Sequence, residues 1–211
     1  WENGHECIEL PIADGGEGTL EVLGGPNRTN RVTNPLGQPV DAQWRLSRDL
    51  AVIEMARASG LSLVGGKANN DVVAASTIGT GELIDTALND GAKRIIVCVG
   101  GSATVDGGLG AIRAIKSAAR LRGVEFLVAC DVRAKFTDAA KLFGAQKGAS
   151  PAQIEFLTSR LHALVQTYKD EFGIDVSEIE GAGAAGGLAG GLAALGAKLV
   201  PGFDIVADEV G

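Results

Sequence analysis

Two uninterrupted apolar runs limit the folds that this chain can adopt. They are Ile95–Val99 and Phe126–Cys130, and neither alternates with polar residues. A strand that is apolar on both sides has to be covered on both sides, as in a parallel sheet flanked by helices. Helical patterns precede and follow the first run, so the sequence predicts the α/β class. Gly100 and Asp131 follow the two runs, which places glycine and a carboxylate at the carboxyl ends of the strands.

The other segments fit the same class. Ser150, Pro151 and Gln153 are typical of a helix start with a capping box, and a long amphipathic pattern follows them up to Gly173. Further elements are expected at four places: a strand at Cys7–Ile12, an antiparallel hairpin between Arg31 and Met55, a helix capped by Thr80, and a helix over Ala111–Lys116.

The composition indicates a folded protein that does not bind polyanions. Hydrophobic residues make up 45% of the 211 positions and charged residues 21%, which argues against extensive disorder. The formal net charge of −7 has the wrong sign for nucleic acid or an anionic membrane. We expect no membrane span and no signal peptide, because no apolar run or basic leader has the required pattern. Three cysteines without a metal-binding spacing suggest small core residues and a cytoplasmic location.

The segment Gly100–Gly110 is the richest candidate for a binding site. It follows a buried strand, enters a helix, and carries Ser102, Thr104 and Asp106 among five glycines. Backbone N–H groups at such a turn bind anions, and ligands of open α/β sheets lie outside the carboxyl ends of the strands. The alternative is a plain glycine-rich turn in which Asp106 caps the following helix.

Two further acidic positions have similar settings. Asp14 begins a glycine-rich turn that also contains Glu17, and capping of the next helix is the alternative role for both carboxylates. Asp131 follows the second apolar run, where it could hold Mg²⁺ or accept a hydrogen bond from a substrate hydroxyl. An ordinary Asp at a strand end explains Asp131 equally well.

Two motifs near the carboxyl end of the chain carry weaker signals. Lys147 precedes a capped helix and is a candidate contact for phosphate or carboxylate, although a solvated surface lysine is the more usual case. Gly181–Gly186 matches the dinucleotide-binding pattern G-x-G-x-x-G. No buried strand precedes it, so we interpret this match as coincidental.

Eight sequence blocks together resemble the bacterial glycerate kinase family, and they follow the family's order over nearly the whole chain. The blocks are Ala13–Thr19, Asn34–Gly37, Ile53–Ala56 with Ser59–Leu61, Gly79–Leu83, Gly100–Thr104 with Asp106–Gly108, Cys130–Val132, Gln146–Ala149 and Gly181–Leu188.

The resemblance implies phosphorylation of D-glycerate by ATP with Mg²⁺, at either the 2- or the 3-hydroxyl. It also implies a two-domain α/β architecture in which a second domain is inserted into a Rossmann-like first domain. Residues 1–30 and 201–211 would then belong to the first domain and residues 31–200 to the inserted domain, with the active site between them.

Roles for individual residues follow as hypotheses from this resemblance and the turn chemistry. Phosphoryl transfer depends on positioning and on neutralising charge. Asp106 or Asp14 would take the proton from the substrate hydroxyl, and Asp131 would bind Mg²⁺ or substrate. The expected substrate contacts are Gly101, Ser102, Thr104, Glu17 and Lys147, and the expected cofactor contacts are Gly100, Gly107 and Gly108.

The chain also departs from the family pattern. It is shorter than the family's members, lacks their Ser-Phe-Lys-Gly segment and C-terminal half-domain, and has Arg133–Lys135 where they often have Asn-Pro-Leu. The family also has a longer segment between Ala114 and Val124. Two other functions stay open: a non-catalytic module that binds small anions, and a kinase for a different hydroxy acid.

Overall fold

The computed structural model describes residues 13–116 and 118–210, so the strand expected at Cys7–Ile12 lies outside the described residues. The strands are β1 (Arg28–Thr33), β2 (Pro39–Ser47), β3 (Leu50–Glu54), β4 (Arg94–Cys98), β5 (Glu125–Ala129) and β6 (Lys198–Val200). The α-helices are α1 (Thr19–Val22), α2 (Ala56–Ser59), α3 (Ile78–Asn89), α4 (Leu109–Ala114), α5 (Ala139–Phe143), α6 (Pro151–Phe172), α7 (Leu188–Ala194) and α8 (Gly202–Val210).

The six strands form one mixed sheet in the order β1-β2-β3-β4-β5-β6. The first three strands pair antiparallel, which confirms the expected hairpin. Strands β3 to β6 pair parallel, and β4 and β5 coincide within one residue with the two apolar runs. The carboxyl ends of four strands therefore meet at one edge of the sheet.

Helices cover both faces of the parallel part, as continuous apolar strands require. In β4, Ile95 and Val97 contribute to the apolar cluster that contains residues of α3, α4 and α7. Ile96 and Cys98 point the other way and join the cluster that contains α1 and α8. Burial raises the pKa of the Cys98 thiol to about 12, so this cysteine is the inert core residue that the sequence predicts.

A third apolar cluster packs α6 against the turn that precedes α4. Leu161 and Tyr168 of α6 are fully buried beside Phe136. The Tyr168 hydroxyl donates a hydrogen bond to the carbonyl of Gly107 at 3.0 Å, and burial raises the pKa of Tyr168. This packing fixes the glycine-rich turn at the carboxyl end of β4.

Two predicted helix starts need correction. Thr80 does not cap α3, which begins at Ile78; the Thr80 hydroxyl instead lies 2.8 Å from the buried hydroxyl of Ser59. Helix α4 begins two residues before Ala111, because the turn before it ends at Gly108 in a left-handed conformation. The predicted domain boundary between residues 30 and 31 falls inside β1, and the division into domains stays a prediction. No helix in the described part is both long and apolar enough to cross a membrane.

The start of α6 provides a test of the fold. Ser150 and Gln153 form a complete capping box, with backbone-to-side-chain bonds of 3.3 and 2.8 Å. We expect Ser150→Ala to lower the free energy of unfolding by about 1 kcal/mol, because a backbone N–H loses its partner. Chemical denaturation measures this change. Ser159→Ala, in the exposed middle of α6, is the matched control, and an equal loss in both variants would contradict the capping role.

Candidate functional site

A cavity of about 390 Å³ opens beside the loops that follow β4 and β5. Its position agrees with the rule that ligands of open α/β sheets bind at the carboxyl ends of the strands. Lys147 and Glu17 are the charged side chains among its lining residues. The other lining residues are Leu61, Ser62, Val99, Gly100, Gly101, Ser102, Val132, Phe143, Gln146, Ala184 and Ala185.

Backbone pairing holds the glycine-rich turn at the base of this cavity. The N–H of Leu61 donates to the carbonyl of Gly101 at 2.8 Å, and the N–H of Ala103 donates to Ser59 at 3.0 Å. Gly60 and Ser102 form an isolated antiparallel bridge between these bonds. The structure therefore brings the predicted residues Gly100, Gly101 and Ser102 to the cavity on a rigid backbone.

Lys147 is buried, so the solvated-lysine alternative is wrong. Its side chain reaches the turn, where Nζ lies 2.6 Å from Ser102 Oγ and 2.7 Å from the carbonyl oxygen of Thr104. Only 3% of the residue is exposed. Burial lowers the pKa of Lys147 to about 7, against a smaller opposing effect from the carboxylate of Asp106.

Asn70 holds Lys147 and the turn together. Its side-chain amide donates to the carbonyl of Ala103 at 2.9 Å and to the carbonyl of Lys147 at 2.8 Å. Sequence reasoning missed this residue, since an Asn in a polar loop gives no signal of contacts with segments 33 and 77 positions away.

Residues of the segment 181–187 also line the cavity, although the match of this segment to the dinucleotide-binding pattern is coincidental. Ala184 and Ala185 are lining residues, and Ala185 has a φ of 52°. A left-handed alanine is unusual, and such strain concentrates at functional sites. Gly186 follows in the same conformation, and its Cα approaches the Thr104 carbonyl so closely that a Cβ would lie 1.9 Å from it. The strand context of a dinucleotide fingerprint is absent, since residues 176–178 form a short 3₁₀ turn.

Glu17 lines the cavity beside Gly101. A Cβ on Gly101 would fall 1.6 Å from a Glu17 carboxylate oxygen, so glycine makes room for this side chain. The turn that carries Glu17 is anchored by the buried Glu54, whose Oε1 accepts hydrogen bonds from the N–H groups of Gly18 and Leu20 at 2.8 Å. The sequence alone did not assign a role to Glu54. The signal that could have identified it is a single acidic residue at the end of the apolar strand β3.

Arg57 balances the charge of Glu54. Its guanidinium lies 2.9 Å from carboxylate oxygens of both Glu54 and Glu21. Burial lowers the pKa of Arg57 while these two carboxylates raise it, and the net direction is upward. The anchor of the Glu17 turn is thus a charge-compensated network.

Asp106 does not line the cavity, and its geometry matches the helix-capping alternative. The carboxylate is buried and accepts four hydrogen bonds: from the N–H and hydroxyl of Thr77, and from the N–H groups of Gly108 and Gly110. Thr104 is likewise buried; its carbonyl binds Lys147, and its hydroxyl has no partner among the described residues.

The expected cofactor contacts Gly107 and Gly108 lie away from the cavity. Both residues are buried in the core, and neither lines the cavity. A Cβ on Gly107 would lie 2.7 Å from Leu164, and one on Gly108 would lie 3.1 Å from Gly191. Close packing under α6 and α7 explains these two glycines, whereas Gly100 stays at the cavity.

Asp14 and Asp131 lie in grooves that adjoin the cavity. Both are exposed; Asp14 shares its groove with Glu17, and the groove of Asp131 shares Val132 with the cavity. One Asp131 oxygen accepts the N–H of Gly202 at the start of α8, at 3.0 Å. The described residues contain no group of three or more His, Cys, Asp or Glu side chains arranged to hold a metal ion.

Comparison with known proteins identifies the family. The model of the glycerate kinase family matches residues 1–119 and 112–211. The chain belongs to the glycerate kinase family. It is 40% identical to the glycerate kinase of Halalkalibacterium halodurans over 235 residues, which cover 93% of this chain and 62% of the relative. It is also 40% identical to the glycerate 2-kinase of Escherichia coli K12, covering 95% and 62% of the two chains.

The fold agrees with this assignment. A crystal structure named "putative glycerate kinase 2 from Salmonella typhimurium LT2" superimposes with a TM-score of 0.88 and 36% identity. The match covers 96% of this chain and 65% of that chain.

This glycerate kinase family chain spans a little under two thirds of the length of these relatives. The alignment with the Halalkalibacterium enzyme is longer than the 211 residues of the chain, so the relative contains residues without a counterpart here. The two matched segments overlap at residues 112–119, from the end of α4 towards β5. This position agrees with the longer family segment expected between Ala114 and Val124.

Gly186 tests whether segment 181–187 supports the lysine. We expect Gly186→Ala to lower the free energy of unfolding by about 3 kcal/mol or more, because the added methyl overlaps the Thr104 carbonyl. Gly196→Ala is the control: Gly196 has a similar φ of 95° with open space around it, so the expected loss is about 1 kcal/mol. Equal losses in chemical denaturation would show that the contact with Thr104 is unimportant.

Replacement of Asp106 by asparagine tests its role as a helix cap. We expect Asp106→Asn to destabilise the protein by about 3 kcal/mol, since an amide cannot accept all four buried hydrogen bonds. Asp208→Asn on the exposed face of α8 should change stability by less than about 0.5 kcal/mol. Thermal unfolding compares the two, and an unchanged midpoint for Asp106→Asn would exclude the capping role.

Proposed function

We propose that this chain forms the glycerate-binding part of an ATP-dependent glycerate kinase. The observation that carries the proposal is the buried Lys147, whose Nζ lies 2.6 Å from Ser102 Oγ in a cavity that Gly101 also lines, at the carboxyl ends of the strands. The names of the relatives from Halalkalibacterium and Escherichia coli support glycerate as the substrate.

The two charged cavity residues complement the two ends of a hydroxy acid. Glycerate carries one carboxylate, which the Lys147 ammonium would bind together with N–H groups of the glycine-rich turn. It also carries hydroxyl groups, for which Glu17 is an acceptor within the same cavity. A lysine and a carboxylate that line the same cavity favour a short ligand with an acid at one end and a hydroxyl at the other.

The proton of the reacting hydroxyl needs an acceptor. Of the two carboxylates expected in that role, Asp106 is occupied by four hydrogen bonds, whereas Asp14 is exposed beside Glu17. We therefore assign proton acceptance to the turn that carries Asp14 and Glu17. The name of the Escherichia coli relative favours transfer to the 2-hydroxyl.

Asp131 would hold Mg²⁺ together with the phosphates of ATP. Mg²⁺ in kinases uses one or two carboxylates plus phosphate oxygens, so the absence of a three-residue metal cluster from the described ranges is compatible with its use. Asp131 has one oxygen engaged by Gly202 and the other without a described partner, which fits this donor set. When bound, the ion would neutralise charge on the transferring phosphate. Gly100, beside Gly16, is the remaining backbone candidate for phosphate contact.

The domain assignment extends this proposal. Leu20 of α1 and Ile205 of α8 share one apolar cluster with residues of β3, β4 and β5, so both segments pack on the same face of the sheet. Residues 31–200 would be the inserted domain. Substrate would then bind where the Glu17 turn of one unit meets the Lys147 wall of the other.

The first test is ADP release by the full-length gene product with ATP, Mg²⁺ and a panel of hydroxy acids. We expect turnover with D-glycerate and formation of 2-phosphoglycerate. Turnover with a different acid would identify another hydroxy-acid kinase. Binding of glycerate without any turnover would favour the non-catalytic anion-binding module and overturn the kinase proposal.

Lys147 is tested in the same assay. We expect Lys147→Met to raise the KM for glycerate about tenfold or more, because a charge-assisted hydrogen bond to the carboxylate is lost. Lys141→Met, an exposed lysine on α5, should leave KM unchanged. A Lys147 variant with the wild-type KM would remove this residue from the substrate site.

A further inference from the structure

Lys147 is buried without an anionic partner among the described residues. Nζ contacts two neutral acceptors, Ser102 Oγ and the Thr104 carbonyl, and no carboxylate oxygen of the described residues lies within ion-pair distance of it. An ammonium has three hydrogens, so one remains for a ligand in the cavity that Lys147 lines. A buried charge without a partner is costly, and the free protein reduces this cost by losing the proton.

The charged groups around this amine do not replace the missing partner. Asp106 attracts the ammonium from within the turn, but its oxygens are occupied by four hydrogen bonds. Arg160, from α6, directs its guanidinium to the carbonyls of Val73 and Val105. Glu17 lines the same cavity in an exposed position, and its carboxylate forms no ion pair with Lys147.

We propose that this cavity binds a carboxylate together with a proton, which Lys147 takes up when the carboxylate enters. The Nζ lone pair forms an N–H bond with a proton released by a buffer acid, and the conjugate base stays in solution. The carboxylate then accepts a hydrogen bond from the completed ammonium. The charge added to the site by the ligand and the proton together is zero.

The energetic reason is the difference between the free and the bound site. Burial lowers the pKa of Lys147 to about 7 in the free protein. A carboxylate at hydrogen-bond distance favours the charged amine and raises that pKa again. Near pH 8 the free amine is mostly neutral and the bound amine mostly charged, so binding consumes a proton. Near pH 6 the amine is charged in both states.

Titration calorimetry of the full-length gene product with sodium D-glycerate tests the proposal, which rests on the proposed function only for its choice of probe. Binding heats in buffers of different ionisation enthalpy report the protons taken up. We expect about one proton per bound glycerate near pH 8, and much less near pH 6. Glycerol, which lacks the carboxylate, should bind without proton uptake.

Variants separate Lys147 from other titrating groups. Lys147→Arg keeps a permanent charge, so proton uptake should disappear whether or not glycerate binds. Lys141→Met is the matched surface control and should take up protons as the wild type does. Uptake that persists in Lys147→Arg, binding without uptake in the wild type, or no binding of glycerate would each overturn the proposal.

A measurement without ligand checks the same group. Because the pKa is lower in the folded than in the unfolded protein, the unfolded state binds more protons between about pH 7 and pH 10. The stability of the wild type relative to Lys147→Met should therefore rise over this range, and a constant difference would contradict a neutral buried amine.

These outcomes are independent of the kinase assay. Proton-coupled binding without ADP release would refute only the proposed function. ADP release without proton uptake would refute only the present inference.

Discussion

The contacts of one buried lysine hold the site together. Lys147 joins the turn after β4 to the segment before α6, and it does so through neutral acceptors instead of a carboxylate. Neighbouring groups reinforce the same junction: Asn70 bridges both segments, and Gly186 packs against the carbonyl that receives the lysine. The result is an amine kept in a dry wall, where its charged form interacts with an incoming anion more strongly than in water.

Local chemistry was sufficient to predict much of the fold. Continuous apolar runs indicated β4 and β5, because a strand buried on both faces leaves no position for polar residues. Ser150 and Gln153 predicted the start of α6, since a capping box depends only on residues three apart. Thr80 does not cap the helix; its hydroxyl forms a hydrogen bond with that of Ser59, a residue distant in sequence. Tertiary contacts thus determine those details of the helix starts that the local sequence pattern does not predict.

The site was less predictable for the same reason. Gly101, Ser102 and Lys147 were identified from turn chemistry and charge, but the burial of Lys147 depends on packing that no local pattern reports. The sequence around Asp106 could not separate two roles. An acid among glycines looks the same whether it is a catalytic base or a helix cap, and the four groups that donate hydrogen bonds to Asp106 identify it as a cap. Segment 181–187 matches a motif that indicates dinucleotide binding only after a buried strand. The motif therefore did not predict that Ala184 and Ala185 line the cavity.

Part of the cavity wall is main chain, because Gly100 and Gly101 line it without side chains. Wall atoms of this kind cannot be exchanged by point mutation without disturbing the packing behind them. Adaptation to larger or differently shaped acids is therefore confined to the few wall positions with replaceable side chains, such as Ser62, Phe143 and Gln146. Under the proposed function, redesign of substrate range should begin at those positions, while the proposed anion-binding wall is retained as a fixed scaffold.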